Sequence, residues 1–348
     1  MSIQGPAVFL AQFVRDEAPF NHIKTLGPWF AEMGYKGVQI PTGNDNMIEI
    51  DKAVESKSYC DDYLGMLKEM GLTPTELSGH LQGQVLAMHP AYAKMFEVFH
   101  PKGMSMTEVT SWATTELKKL VEVSARLGTK SIPAMSGGFA WHMVYPWPQR
   151  PDGIIDEAFT ELAKRWMPIF DHAHDHGITI TFELHPGSDV YDGATFEMLL
   201  EKVNGHPACC INYDPSHFVL QQLDYLDFIR LYGDRIKAFH VKDAEFRPSG
   251  RVGVYSGYQS WDKRAGRFRS LGDGQVDFKQ VFTLLTEAGY DGWAVLEWEC
   301  CIKDPEQGAR EGAPFIRDHI IKKTPYTFDD FAGGATDTKR NRDILGLS

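Results

Sequence analysis

Four residues stand at or just past the ends of apolar runs in the second half of the chain. Glu183 lies in ITITFEL, Asp214 follows INY, His240 follows KAF and Glu297 follows AVL. A carboxylate buried alone in such a run is expensive, and a shared cation compensates it. Three carboxylates and one imidazole form a hard, oxygen-rich set that suits Mn²⁺ first, with Mg²⁺, Co²⁺ or Zn²⁺ as alternatives. A divalent ion holding a carbonyl and a neighbouring hydroxyl acidifies the C–H between them by stabilising an enediolate. A carboxylate such as Glu183 or Glu297 can then remove the proton. Returning it on the other face is epimerisation, returning it to the next carbon is isomerisation, and expelling a β-substituent is elimination. All three share the first step, so the ligand set does not choose between them.

Other residues could set the outcome. His142 sits in AWHMVYPW, among Trp141, Tyr145 and Trp147. Flat aromatic walls stack on sugar rings or aglycones, and a histidine there is a candidate second acid–base group near neutral pH. His80, after the third strand, and His185, after Glu183, are further pocket candidates. Lys242 shares a face with His240 by period-two alternation. It either binds a substrate oxygen or pairs with Asp243.

These side chains need a frame that brings distant strand ends together. Short apolar runs alternate with amphipathic stretches: strands at Ala7–Phe13, Gly37–Pro41, within Leu72–Leu81, Ser131–Met135, Ile178–Leu184, Cys209–Tyr213, Ile236–Val241 and Trp293–Trp298. Between and after them come helices at Phe20–Met33, Ser56–Met70, Thr107–Leu127, Ile155–His176, Ala194–Val203, Leu223–Tyr232, Asp277–Ala288 and Pro305–Ile321. Eight such units predict an α/β fold of (β/α)₈ type, a TIM barrel formed by residues 1–322 as one domain, with a C-terminal surface tail at 323–348. Several helices end in a glycine that supplies a left-handed cap before the next strand. A doubly wound open sheet is disfavoured because no G-x-G-x-x-G turn follows the first strand. Two long connections, 136–153 and 246–275, follow strands and therefore enlarge the C-terminal face, where barrel enzymes place their sites. The first is rich in proline and aromatics, the second in arginine, and a third connection, 82–105, joins the same rim.

Composition narrows the function. The chain has 348 residues and a formal net charge of −12, with 43% hydrophobic residues. An acid excess argues against nucleic acid as a partner, since a duplex binder must neutralise phosphates with a basic face. No run is long and apolar enough for a membrane helix, and the N-terminal segment does not read as a secretory signal. The five cysteines, Cys60, Cys209, Cys210, Cys300 and Cys301, read as reduced thiols, which predicts a cytoplasmic protein without membrane association.

The segments FELHPG (182–187), INYDPSH (211–217), FHVKD (239–243) and LEWE (296–299) resemble the xylose-isomerase-like TIM-barrel superfamily, the sugar phosphate isomerase/epimerase group. The resemblance covers about residues 6–321 and is most specific in the second half. It implies a metal-dependent enzyme acting on a carbohydrate, with Glu183, Asp214, His240 and Glu297 as metal ligands and His217 touching a substrate oxygen. Ketose 3-epimerases also carry a glutamate shortly after the fifth-strand ligand and an arginine after the histidine ligand. Here those regions read HPGSD and KDAEFR, which leaves Arg247 as the substrate-binding candidate. The enlarged aromatic loop is similar to that of the larger subunit of C-glycoside deglycosidases. That likeness implies lyase action on 3-oxo-glycosides and a small second subunit; otherwise a homo-oligomer is expected. A metal nuclease of the same barrel type is opposed by the charge. A non-catalytic sugar-binding barrel is opposed by the complete ligand set.

Overall fold

In the computed structural model, which describes residues 2–324 and 336–347, eight parallel strands curl into a barrel. They are β1 (Gln4–Phe9), β2 (Gly37–Pro41), β3 (Thr73–Ser78), β4 (Ser131–Ala134), β5 (Thr179–Glu183), β6 (Cys209–Tyr213), β7 (Ile236–Val241) and, after a separate hairpin β8 (Asp243–Phe246) and β9 (Gly266–Arg269), β10 (Trp293–Leu296). The hydrogen-bonded order is β3-β2-β1-β10-β7-β6-β5-β4. Closure falls between β3 and β4, where the Gly79 N–H donates to the Pro133 carbonyl at 2.8 Å. The fold is the predicted single TIM barrel.

Side-chain alternation sorts each strand into an outer and an inner set. Phe182 packs edge-on against Trp166 of the helix Ile154–Asp175 at 4.7 Å, while its neighbour Glu183 points into the barrel. Phe239 packs on Phe282 and Tyr213, and the adjacent His240 points inward. Alternate residues of β10 divide in the same way: Leu296 joins the outer core, while Val295 lines the bore with Ala7 and Phe9. The bore leaves no room for a side chain on Gly37, whose Cβ would lie 2.5 Å from Thr75 Cγ2.

The regular elements match the sequence reading to within a few residues, and the irregular ones depart from it. The strand expected over Ala7–Phe13 stops at Phe9, and Leu10–Phe13 forms a 3₁₀ turn that carries Gln12. The helix expected from Phe20 begins at Ile23, because the His22 side chain accepts the Lys24 N–H at 3.1 Å and caps it there. The connections are less open than expected. A helix, His80–Leu86, follows β3 directly, and another, Pro215–Gln221, follows β6 with Asp214 as its N-cap. The 246–275 excursion rises from an antiparallel hairpin, β8 with β9, in which Asp243 pairs with Arg269. Beyond Lys323, residues 336–347 are exposed and include a helix, Thr338–Ile344; the rest of the expected tail, 325–335 and 348, lies outside the described residues.

A bulge in β3 has an energetic consequence. Val38 pairs with Pro74 but Ile40 with Leu77, so β3 holds one extra residue there. Glu76, in that stretch, is 3% exposed, and its Oε2 has no hydrogen-bond partner. Burial, only partly offset by the neighbouring Thr75 hydroxyl and His240, raises its pKa from 4.5 to about 7. The folded protein therefore holds a proton that the unfolded chain releases between those values. Stability falls as pH rises across that window, by roughly 3 kcal/mol in total. Glu76→Gln, which cannot ionise, should unfold at the higher denaturant concentration at pH 8 and show a flatter profile from pH 5 to 8. Equal pH slopes for wild type and variant in urea titrations would contradict this.

Candidate metal centre

Glu183, Asp214, His240 and Glu297 each offer one ligand atom, and all of these atoms lie within 4.8 Å of one another. All four residues are buried. Each comes from a different strand end, β5, β6, β7 and β10, as the barrel's C-terminal mouth requires. Second contacts aim the ligands. His240 Nε2 lies 2.9 Å from Gln39 Oε1 on β2, and its Nδ1 faces Glu297 Oε2 at 3.0 Å and Glu183 Oε1 at 3.5 Å. The carbonyl acceptor takes the Nε2 proton and turns Nδ1 toward the carboxylates, where it would ligate an ion once its own proton is displaced. Gln12 donates to Glu297 Oε1 at 3.0 Å, which turns Oε2 toward His240 and Lys242. Asp214 uses Oδ1 to accept the Ser216 N–H at 2.8 Å and presents Oδ2.

The donor set fits a divalent cation. Glu183 Oε1 and Asp214 Oδ2 are buried and lack a hydrogen-bond partner, although buried acceptors normally have one. An ion between them would satisfy both. The electrostatics of the cluster point the same way. Burial raises Asp214 to about 7 against the opposing pull of His217 and Lys242. Burial pushes Glu183 up, but the neighbouring imidazoles of His217, His240 and His80 outweigh it and hold the carboxyl well below the usual carboxylate range. Burial and Glu183 push Glu297 up, but Lys242 and His240 prevail and hold it at about 2.

Around this quartet stand most of the substrate candidates. His217 Nε2 lies 3.3 Å from both Glu183 Oε1 and Asp214 Oδ2. His80 Nε2 lies 3.2 Å from Glu183 Oε2, and its Nδ1 meets Ser78 Oγ at 2.7 Å. His185 packs on His217 with ring centres 4.2 Å apart and tilted by 58°; burial and that neighbour push its pKa down to about 3, so it is neutral at physiological pH. Lys242 is buried, 3.3 Å from Glu297 Oε2 and 3.0 Å from Glu299 Oε2, with its ammonium 4.2 Å from the centre of the Phe268 ring. Burial opposes its charge, but the surrounding carboxylates keep it protonated.

Comparison with known proteins identifies the family of this barrel. The model of the xylose isomerase-like TIM barrel family matches residues 28–319. The chain belongs to that family. Inosose dehydratase from Geobacillus thermodenitrificans is 30% identical over 150 residues, which cover 42% of this chain and 50% of that protein. The chain thus matches about half the length of this curated relative. Two solved structures share the fold. One is 3-keto-D-glucoside 4-epimerase from E. coli, with a TM-score of 0.61 at 16% identity, covering 90% of this chain and 98% of that one. The other is a xylose isomerase-like TIM barrel protein from Mycobacterium smegmatis in complex with magnesium, also at 0.61, with 15% identity and coverage of 91% and 96%.

Within this family member, four sequence-derived candidates lie away from the quartet. His142 is exposed and packs on His89 with ring centres 4.0 Å apart. Trp141 packs edge-on against Tyr191 at 5.2 Å, and Trp147 is 74% exposed. The exposed Arg247 pairs with Glu245 at 2.9 Å. The alternative of a Lys242–Asp243 pair is corrected. Asp243 accepts the backbone N–H groups of Ala244, Gly272, Gly274 and Val276 at 2.8–3.2 Å, clamping the return of the hairpin. Sequence reasoning missed Gln12, Gln39, Glu299 and Phe268. Gln39 carried a signal, being a polar side chain in the middle of the apolar run GVQIP, and so did Glu299, two residues beyond Glu297 on the same face.

Proposed function

We propose that this protein is a divalent-metal-dependent enzyme that removes a proton next to the carbonyl of a keto-sugar or oxidised glycoside and returns it as an isomerase or epimerase. The observation that carries this is the buried quartet with its unpartnered Glu183 and Asp214 oxygens. Glu183, Asp214, His240 and Glu297 would hold the ion, with Mn²⁺ the proposed metal. When bound, it supplies Lewis acidity to a carbonyl oxygen, which lowers the pKa of the adjacent C–H. Glu183 and Glu297 are the carboxylates placed to take and return the proton. The Lys242 ammonium stands ready to donate a hydrogen bond to an oxygen that gains negative charge, in a site sheltered from water. His217 and the neutral His185 orient substrate hydroxyls, with His80 behind Glu183. The unpaired cysteines, three of them buried, support a cytoplasmic setting.

A second reading is elimination from a 3-oxo-glycoside or keto-cyclitol. The inosose dehydratase relatives favour it, and Lys242 could protonate a leaving oxygen. One experiment serves both readings: ketoses and 3-oxo-glycosides are incubated with enzyme and Mn²⁺ in deuterium oxide and followed by NMR. Deuterium uptake into an otherwise intact sugar supports isomerase or epimerase action, and an unsaturated ketone supports the lyase. No exchange across the panel rejects the common first step.

His142 is proposed as a rim acid–base group, with Trp141, Trp147 and Arg247 forming the outer substrate wall. His142→Ala is expected to lower kcat/KM about tenfold or more with metal content unchanged. Steady-state kinetics with elemental analysis checks this; parallel loss of metal, or no loss of rate, would exclude the role.

A further inference from the structure

The bore beneath the quartet is polar. Barrels of eight parallel strands fill their interiors chiefly with branched apolar side chains. Here Gln39 of β2, Glu76 of β3, Thr181 of β5 and Asn212 of β6 lie in the interior, none more than 3% exposed. Thr181 and Asn212 stand two residues before Glu183 and Asp214, on the same face of their strands. Asn212 Nδ2 lies 3.2 Å from His240 Nδ1, and Gln39 Oε1 lies 2.9 Å from His240 Nε2, so this layer meets the histidine from two strands. Each of the four nevertheless keeps a buried polar atom without a hydrogen-bond partner: Gln39 Nε2, Glu76 Oε2, Thr181 Oγ1 and Asn212 Oδ1. Such atoms are rare in native interiors and call for an explanation.

Two of these atoms are complementary. Val38 pairs with Pro74 and Ile40 with Leu77, which puts Gln39 opposite the bulged Thr75–Glu76 pair. The free atom of Gln39 is a donor, and that of Glu76 is a carboxyl oxygen. His240 counters part of the effect of burial on Glu76, so the carboxyl stands within electrostatic reach of that ligand. A leucine would fill the same place without the cost of burying an acid; a hydrogen bond gives the carboxyl its reason. We infer that Glu76 is a positioning residue of the metal centre: in the metal-loaded protein its carboxyl receives the Gln39 amide N–H, and Gln39 in turn holds the Nε2–H of His240. The inference rests on the metal-centre reading and extends the support of one ligand across two further strands. An amide that donates at one end is a stronger acceptor at the other, so the bond to His240 tightens. A ligating histidine is oriented through its second nitrogen, and losing that support costs about ten- to a hundredfold in metal affinity. Glu76 acts only through Gln39 and touches neither substrate nor ion.

The test uses the full chain with Mn²⁺ alone as the probe and reads affinity by calorimetry, without turnover. Glu76→Leu should weaken binding about tenfold or more, and Gln39→Leu by a similar factor. The double variant should bind no more weakly than Gln39→Leu, because both changes break one chain, whereas independent sites add. Glu76→Gln keeps a carbonyl acceptor and should bind within about twofold of wild type. Thr181→Val, which removes a bore hydroxyl from another strand, should also bind like wild type. Urea unfolding of each variant checks that the fold is kept, and Glu76→Met, with a more adaptable side chain, replaces Glu76→Leu if that variant does not fold. Unchanged affinity in the folded Glu76 variant, additive losses in the double variant, or an equal loss in Glu76→Gln or Thr181→Val would each overturn the inference. A wild type that binds no Mn²⁺ would overturn the metal-centre reading and this inference with it. A wild type that binds, beside a Glu76→Leu that binds equally, overturns this inference alone.

Discussion

Glu183→Gln should abolish turnover and empty the metal site while leaving the barrel folded. Glu183 is the hub of the cluster: its two oxygens face His80, His217 and His240, and Oε1 has no hydrogen-bond partner. The amide keeps the shape but loses the charge that attracts a cation. A fall of about a thousandfold or more in kcat is expected, within the range for losing a positioned proton-transfer group. Elemental analysis after dialysis against Mn²⁺ should find wild type loaded and the variant depleted. Thermal unfolding gives an independent reading, since a ligand that binds only the folded state stabilises it. Added Mn²⁺ should raise the wild-type Tm and leave the variant's unchanged. A variant with normal metal content and normal rate would exclude this centre. The same linkage gives a pH dependence. In the metal-free protein Asp214 titrates at about 7, so below that pH a proton competes with the ion. Apparent metal affinity should weaken as pH falls from 8 to 6, and a flat profile in metal titrations would contradict the assignment of Asp214 as a ligand.

Lys242→Met should separate metal binding from catalysis. The long apolar side chain fills similar space and still packs on Phe268, but it cannot donate to a negatively charged oxygen. Loss of one such donor in a sheltered site costs about a hundred- to a thousandfold in kcat. Metal content should stay near wild type, because Glu297 retains Gln12 and His240 as partners. Both quantities are read from one preparation, by kinetics and elemental analysis. Loss of metal in step with activity would make Lys242 a structural counter-charge and remove it from the chemistry. Lys242→Arg is the informative companion. It restores the charge, but its planar fork matches neither the reach nor the geometry of the ammonium. Partial recovery of rate would confirm that charge matters and position matters further.

The clustering of the quartet was legible in the sequence for a definite reason. Each member is an ionisable residue interrupting or ending an apolar strand, and strand alternation directs Glu183 and His240 into the bore while their neighbours, Phe182 and Phe239, face the helices. Parallel strands with helical crossovers allow few topologies, so the order of elements already placed the ends of β5, β6, β7 and β10 together. What surrounds the quartet was not legible. Gln12 reaches Glu297 across nearly the whole chain only because the first strand breaks into a 3₁₀ turn. Lys242 turned from Asp243 to Glu297 and Glu299 because backbone N–H groups from the far side of a long excursion occupy Asp243. That excursion, read as an open arginine-rich loop, is tied down by Glu245, which is buried among Arg247, Arg267 and Arg269. Its folding back sets Phe268 against Lys242 and His217 at the barrel mouth, with Trp261 packed on Phe268. The loop at 136–153 had the stronger sequence signal for an aromatic wall, yet it leaves His142 and Trp147 exposed on the rim.

By itself, then, the sequence determined the barrel and the four polar residues that meet in its mouth, because both follow from local periodicity and the cost of burying charge. The tertiary structure alone decided which side chains surround that cluster and which aromatic rings stand at the mouth. Those depend on contacts between residues far apart in the chain, where loop geometry, and not local pattern, sets who meets whom.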